Sequence, residues 1–347
     1  MKIMHILPEL EEGGVERMVP IIANCQARLG HEIYVVSSGG KLESLLSPDI
    51  RNVKMPVHRK NPFIGIFCAF RLARIIKREN ILIIHAFSRI PAWICWVIKL
   101  FVPRVKYIFA ARAVYPRLYY GTWPIAKADG ITCVSGAVLK SMANWMPARI
   151  PARVIYNPFN TKILPWTGSG DASVKHLLYL GRVSKNKGPV LLIEAMARVK
   201  NQNWVLDVVG DGPATDLLRE KIAQHGLGKR VTIHGFTNEA LAFISRCDLF
   251  LCPSREEGFY LALMEALLSG APVLASDISA VRELTSSDRA NLGNELLPPT
   301  DAAAWAEAID SFLDGKFTPS LKLAINLPTE DEMASAMLEF YSEIIKR

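Results

Sequence analysis

The chain has 347 residues, half of them apolar and 21% charged, with 22 Gly and 21 Pro in no repeating period. That length exceeds one ordinary domain of roughly 100–200 residues, so two domains are expected, and the composition excludes intrinsic disorder and a collagen-like chain. The formal charge of +8 hides an asymmetry: residues 1–160 carry 22 Lys and Arg against 9 Asp and Glu, while residues 161–347 carry 19 against 24. A basic half suits an anionic partner such as nucleic acid, an acidic lipid surface or a phosphorylated substrate, and also an ordinary solvated surface.

In chain order, short apolar runs of strand length alternate with stretches of helical period. The first half predicts strands near 2–7, 32–37, 81–86, 105–110, 131–134 and 153–156. Between the first two, Val15, Met18, Val19, Ile22 and Cys25 recur at three- and four-residue spacing, which makes an amphipathic helix. Residues 157–174 lose the period and hold two Pro and two Gly, the composition of a linker. A second series follows near 175–180, 204–209, 230–234, 248–252 and 272–275, and a last helix spans 330–346 with Met333, Met337, Phe340, Tyr341 and Ile344 on one face. Strand and helix in alternation indicate an α/β chain with parallel sheets covered by helices.

Several classes lose support. The six cysteines are widely spaced with no C-x-x-C pair, the pattern of reduced thiols in a cytosolic protein. The first residues lack the apolar core of a signal peptide, and the longest apolar run, 90–102, is interrupted by Lys99 and falls short of the roughly 18–20 residues that span a bilayer. No G-x-x-x-x-G-K-[ST], strand-borne G-x-G-x-x-G or H-E-x-x-H occurs, and the seven His have no ligand spacing, so no metal site is expected.

The informative stretch runs from Ser254 through Glu257, Gly258, Phe259, Tyr260 and Glu265 to Gly270. A strand enters a polar loop and a helix is expected from about Phe259, so that amides at the helix start would face an anion. Glu257 and Glu265 stand on the order of 12 Å apart at a helical rise, too far for an acid/base dyad and well placed to grip two ends of an extended ligand. Glu265, among apolar neighbours, also fits a paired interior carboxylate. At Gly181-Arg182 and Lys187-Gly188 a strand exits into a guanidinium and ammonium groups that could neutralise a diphosphate. Gly210-Asp-Gly212-Pro, Gly235-Phe236 and Gly13-Gly14 with Arg17 mark further strand exits, which plain turn chemistry explains equally well.

Taken in order, GGVER, GR-x4-KG, GDGP, HGF and PSREEGF…MEALLSGAPV resemble glycosyltransferase family 4, retaining nucleotide-sugar enzymes of GT-B architecture that build cell-surface glycans. The resemblance is strongest over about 175–300. It implies two doubly wound, Rossmann-like domains facing across a cleft, 1–160 for the acceptor and 174–325 for the nucleotide-sugar, joined by 161–173. The last helix, 329–347, would pack back on the first domain. It further implies Arg182 and Lys187 on the donor diphosphate and Glu257 on the sugar hydroxyls as the catalytic set. Glu265 would hold the ribose, with Gly14, Gly181, Gly210, Gly212, Gly235, Phe236, Gly258, Phe259 and Tyr260 around the donor. No metal or other cofactor is implied.

Arg112 stands where many relatives carry His, and Asn157-Pro-Phe-Asn160 ends in Asn where relatives often have Asp. Gly13, Arg17, His85 and Arg112 are the candidates for the acceptor side. Arg112 fits either contact with donor or anionic acceptor or a structural ion pair, and His85 either a cleft residue or a satisfied interior histidine. Residues 59–78 interleave cations with Phe63, Ile64, Ile66, Phe67 and Phe70 and fit either an anionic membrane surface or the outer side of a scaffold helix. The reading is a metal-independent retaining transferase acting on a membrane-associated glycan acceptor, as in lipopolysaccharide or other bacterial surface polysaccharide synthesis, at the inner face of the cytoplasmic membrane. Its rivals are a GT-B nucleotide-sugar epimerase and a basic nucleic-acid-binding protein. The latter is disfavoured because no stacking platform or recognition motif accompanies the charge.

Overall fold

A computed structural model describes the chain except residues 12, 119–120, 160–162, 172, 238 and 287–294. Asn160 and parts of the expected linker therefore lie outside the described residues. Two compact units are present, Met1–Asn160 with Leu327–Arg347, and Thr161–Asn326.

The first unit opens with β1 (Lys2–Ile6), α1 (Gly14–Arg28), β2 (Glu32–Ser37) and β3 (Arg51–Lys54). It continues through α2 (Pro62–Glu79), β4 (Ile83–Ala86), α3 (Arg89–Phe101), β5 (Lys106–Ala111), β6 (Gly130–Cys133), α4 (Gly136–Met142) and β7 (Ala152–Val154). The sheet order is β3-β2-β1-β4-β5-β6-β7, every pair parallel. The central strands are buried on both faces, which is why they read as continuous apolar runs. The sequence reading misses β3, because Arg51-Asn-Val-Lys is a largely exposed edge strand whose cations guard the edge and leave no apolar pattern. Helix α2 starts where the Asn61 side chain accepts from the amides of Phe63 and Ile64 and ends at Asn80 in left-handed conformation.

The second unit runs β8 (Lys175–Leu180), α5 (Pro189–Met196), β9 (Trp204–Val209), α6 (Thr215–Gln224), β10 (Val231–Gly235), α7 (Ala240–Arg246) and β11 (Leu249–Cys252). After these come α8 (Leu261–Ser269), β12 (Val273–Ser276), α9 (Ser279–Leu284), β13 (Thr285–Ser286), β14 (Leu296–Leu297), α10 (Ala302–Leu313) and β15 (Lys322–Leu323). Its main sheet has the order β10-β9-β8-β11-β12-β14, also parallel, with β13 and β15 forming a separate antiparallel pair. Trp204 and Trp305 anchor the core on one face of the sheet, and Phe250 and Tyr260 on the other. In each sheet the order reverses beside the first strand, between β1 and β4 and between β8 and β11. In open α/β sheets such a switch point leaves a crevice at the carboxyl ends of its two strands, where ligands bind.

The last helix, α11 (Glu330–Lys346), belongs to the first unit. Thr329 and Glu332 close its N-terminus as a capping box. Met333, Met337, Phe340, Tyr341 and Ile344 all enter the first unit's core, and Ile344 lies so close to β6 that a Cβ on Gly130 would be 2.9 Å from it. Tyr341 Oη is 2.6 Å from His85 Nδ1, and Thr132 Oγ1 is 3.2 Å from His85 Nε2. His5, opposite His85 in the sheet register, is 2.8 Å from Gln26 Oε1 through Nε2. The expectation of His85 as a cleft residue gives way here. Inside β4, fully buried and bonded through both ring nitrogens, it ties the sheet to α11.

Burial pushes His5 down to about 4 and His85 well below its ordinary value, so both are neutral in the folded unit at neutral pH. The unfolded chain takes up protons on these rings below pH ~6.5 and the folded one does not, so stability is full above that pH and declines as pH falls towards 4. The His5 shift alone corresponds to about 3 kcal/mol across that window. Urea denaturation at pH 7 and pH 4.5 should show this loss, and His5→Gln should reduce the slope.

Candidate functional site

The exits of β8, β9, β10 and β11 are joined into one structure at the carboxyl edge of the second sheet. Gly181 N–H donates to Val209 O at 3.0 Å, Val183 N–H to Asp211 O at 3.0 Å, and Gly210 N–H to Gly235 O at 2.8 Å. The approach at Gly210 is so close that a Cβ there would lie 2.1 Å from Gly181 O, so the GDGP turn needs this glycine for packing as well as for turning. Gly212 N–H and Thr215 Oγ1 both donate to Asp211 Oδ1, at 2.7 and 2.6 Å. The Thr215 bond, then the amide, hold this carboxyl below the usual range. Gly235 ends β10 and leaves Phe236 half exposed beside it.

Across the switch point, the loop after β8 and the loop after β11 clamp together. Gly188, at φ +74°, faces Pro253 so closely that a Cβ would lie 1.9 Å from its carbonyl oxygen. Arg255 N–H donates to Asn186 O at 2.7 Å. Lys187 Nζ then reaches Glu257 Oε1 at 2.5 Å, and Ser254 Oγ donates to the same oxygen at 2.8 Å. Lys187 Nζ also sits 4.6 Å from the centroid of the Tyr260 ring. Glu257 is only 9% exposed, and a carboxylate this deep is tolerable because a cation and a hydroxyl satisfy it. Arg182, in the same loop after β8, is exposed and makes no ion pair among the described residues.

The structure thus brings Gly181, Lys187, Gly210, Gly212, Gly235 and Glu257 to one edge. Gly258 and Phe259 lead into α8, which begins at Leu261, two residues later than expected, with Tyr260 as its cap residue. Glu265 lies within α8, half-buried and already engaged. Sequence reading misses Ser254 and the Asp211–Thr215 pair. The spacing D-G-x-x-T is a signal that could have found the latter, whereas Ser254 acquires its role only from the loop's return.

In the first unit, Gly13 precedes α1, and a Cβ there would meet the Glu16 carboxylate, which folds back over the loop. Gly14 is the first residue of α1 and Arg17 is exposed on its first turn. Arg112 leaves the end of β5 and donates through Nη2 to Asn157 Oδ1 at 2.5 Å. Burial lowers it to about 10, opposed by the Glu16 charge. Arg112 and Asn157 therefore join the segments after β5 and β7, and the Arg112 charge also acts on His85 inside the sheet, adding to the burial that lowers its pKa.

Residues 12–163 match the family model described as Glycosyltransferase Family 4, and residues 171–326 match that of Glycosyl transferases group 1. The chain belongs to these glycosyltransferases. It is 31% identical over 142 residues to an alpha-D-kanosaminyltransferase of Streptomyces kanamyceticus, covering 40% of this chain and 36% of that protein. It is 29% identical to the lipopolysaccharide core biosynthesis mannosyltransferase LpsB of Rhizobium meliloti, covering 42% of this chain and 43% of that protein. The match thus spans less than half the length of these two relatives. An N-acetylgalactosaminyltransferase acting on N-acetylgalactosamine-N,N'-diacetylbacillosaminyl-diphospho-undecaprenol in Campylobacter jejuni is 24% identical over 82% of this chain and 83% of its own. Among solved structures, the Anabaena protein HepE in complex with UDP-glucose shares the fold at a TM-score of 0.74 and 18% identity, over 99% of this chain and 95% of its own. The lipopolysaccharide outer core galactosyltransferase WaaB aligns at 0.70 with 17% identity, over 99% and 97%. The fold is GT-B.

Gly188→Ala should separate the two loops, because the new methyl overlaps Pro253 O and the backbone is left-handed. The expected cost is about 1–3 kcal/mol, read as a lowered unfolding midpoint.

Proposed function

We propose that this member of glycosyltransferase family 4 moves a sugar, with retention at the anomeric carbon, from a nucleotide-diphospho-sugar to a membrane-associated glycan acceptor. The carrying observation is the Lys187–Glu257 contact at the β8/β11 switch point, with Arg182 exposed in the same loop after β8. It supplies cations for a leaving group and a carboxylate for hydroxyls at one edge. As the anomeric C–O bond breaks, negative charge grows on the departing diphosphate, and fixed cations aimed at it are usually the largest catalytic contribution. Arg182 and Lys187 take that role, and this charge compensation by side chains is what supports a reaction without a metal ion or other cofactor.

Glu257, neutralised by Lys187 and held by Ser254, is a poor nucleophile and a good acceptor for sugar hydroxyls. The acceptor oxygen therefore attacks from the face the leaving group vacates, and its proton passes to the diphosphate. Glu265 takes the ribose, and Gly181, Gly210, Gly212, Gly235, Phe236 and the segment Gly258–Tyr260 surround the donor. Gly13, Gly14, Arg17 and Arg112 belong to the acceptor-side unit, where Arg112 offers a cation to an anionic acceptor.

A lipid-linked acceptor is supported by the relatives that build lipopolysaccharide and undecaprenol-linked glycans. Among the described residues no helix is long and apolar enough to cross a membrane, and α2, with its cations and exposed phenylalanines, is the element proposed to hold the chain to the inner face of the cytoplasmic membrane.

Lys187→Ala leaves the Glu257 carboxylate buried without its cation and should lower the unfolding midpoint; assayed well below that midpoint, its turnover should still fall on the order of 10²-fold or more, and near wild-type turnover would sink the assignment. A thermal-shift screen of UDP-, GDP- and ADP-sugars should give one series that raises the melting point by mass action. Arg74→Glu with Lys77→Glu should weaken flotation with anionic vesicles, and unchanged flotation would leave α2 as scaffold.

A further inference from the structure

Helix α3 carries an apolar surface that the first unit's core does not use. Pro91, Ala92, Ile94, Cys95 and Ile98 are buried, while Leu100 is 62% and Phe101 42% exposed on the remaining side. Trp93, Trp96 and Leu100 share one helical face. Beyond Arg89 the helix has a single charge, Lys99, paired with Asp129 at 2.5 Å. An ordinary surface helix turns a polar face outward, and this one does not.

The surface continues into both neighbours. The rings of Trp93 and Trp96 are 5.4 Å apart, and each meets Trp123, in the 3-10 turn 123–127, at 5.5 and 4.7 Å. On the other side Phe101 meets Phe70 of α2 at 6.1 Å, joining the exposed Phe63, Ile66 and Phe67. Beside Trp123 lies an open groove of about 510 Å³, with Leu118, Ala126 and Pro147 as apolar lining and Lys127 and Arg149 as its cations.

The charge along this surface is predominantly positive. Residues 59–129 hold 13 Lys and Arg against two acids, Glu79, paired with Arg51 and Arg78, and Asp129, paired with Lys99. A second copy of the chain would present the same positive rim and be repelled, whereas an anionic lipid surface complements both the rim and the apolar centre. Tryptophan with flanking Lys and Arg is the residue set that settles at a membrane–water interface.

We propose that α3 and the turn 123–127 form the edge that inserts into the headgroup region of an anionic phospholipid bilayer, with Lys127 and Arg149 at the level of the phosphates. This deepens the reading of α2 as a membrane-bound helix and rests on it, adding insertion to adsorption. Adsorption by charge alone is released by salt, and insertion of apolar side chains is not.

The test uses the full chain with phosphatidylcholine vesicles, with and without phosphatidylglycerol, at low and high salt. Binding to the anionic vesicles should survive high salt in part, with tryptophan emission shifted to the blue and quenched by brominated-chain lipid. Leu100→Asp with Lys127→Glu, both at exposed positions, should reduce partitioning roughly tenfold or more while circular dichroism and donor-dependent thermal shifts stay unchanged. Full release by salt without an emission change, or wild-type partitioning of the variant, overturns insertion and leaves adsorption through α2 standing. Absence of binding to either vesicle overturns both membrane readings, and a dimer in sedimentation that Leu100→Asp dissociates would assign the face to a second copy. None of these outcomes touches the Lys187 readout, which tests the transfer reaction separately.

Discussion

Everything proposed for the second unit depends on two loops being forced together where its strand order reverses. Gly188 against Pro253 and the Arg255 amide on Asn186 set the distance between the β8 and β11 exits. That distance lets Lys187 meet Glu257 in a buried environment. A buried ion pair contributes little net stability, because desolvation offsets the attraction, but it fixes position, and removing either partner leaves an uncompensated charge. The pair is therefore better read as a device for holding opposite charges ready in one place than as a brace for the fold.

The first unit handles its buried polar groups differently. His5, His85, Gln26, Thr132 and Tyr341 form an internal network that is neutral because burial disfavours the protonated rings. The network joins the sheet to a helix contributed by the far end of the chain, so the unit is complete only when residues 327–347 have returned. Arg112, by contrast, keeps its charge, shared between Asn157 and the field of Glu16. Two polar clusters a few residues apart in the strands thus have separate roles, one internal and one at the carboxyl edge.

The charge asymmetry between the halves also acquires a location. In the second unit Lys187 is turned inward to Glu257, and Arg182 is exposed in the same loop. In the first unit Arg71, Arg74, Lys127 and Arg149 border an aromatic surface shared by α2, α3 and the turn after β5. Charge at that surface governs association, and the apolar centre governs what kind of partner can stay.

The alternation of strand and helix, the last helix, and the Gly-rich strand exits with Arg182, Lys187 and Glu257 were legible in local patterning, because buried parallel strands and glycine turns leave strong local signals. The sequence was silent on β3, whose exposed edge needs no apolar pattern, and it left His85 between two readings, because only the position of Tyr341, 256 residues away, shows that its ring is satisfied inside the sheet. Ser254 gained its part from the return of a loop, and α3 read as an apolar run until its packing showed which half remained uncovered. These points share one cause. Whether a polar group is satisfied, or an apolar face covered, depends on partners distant in the chain, and no local spacing encodes them.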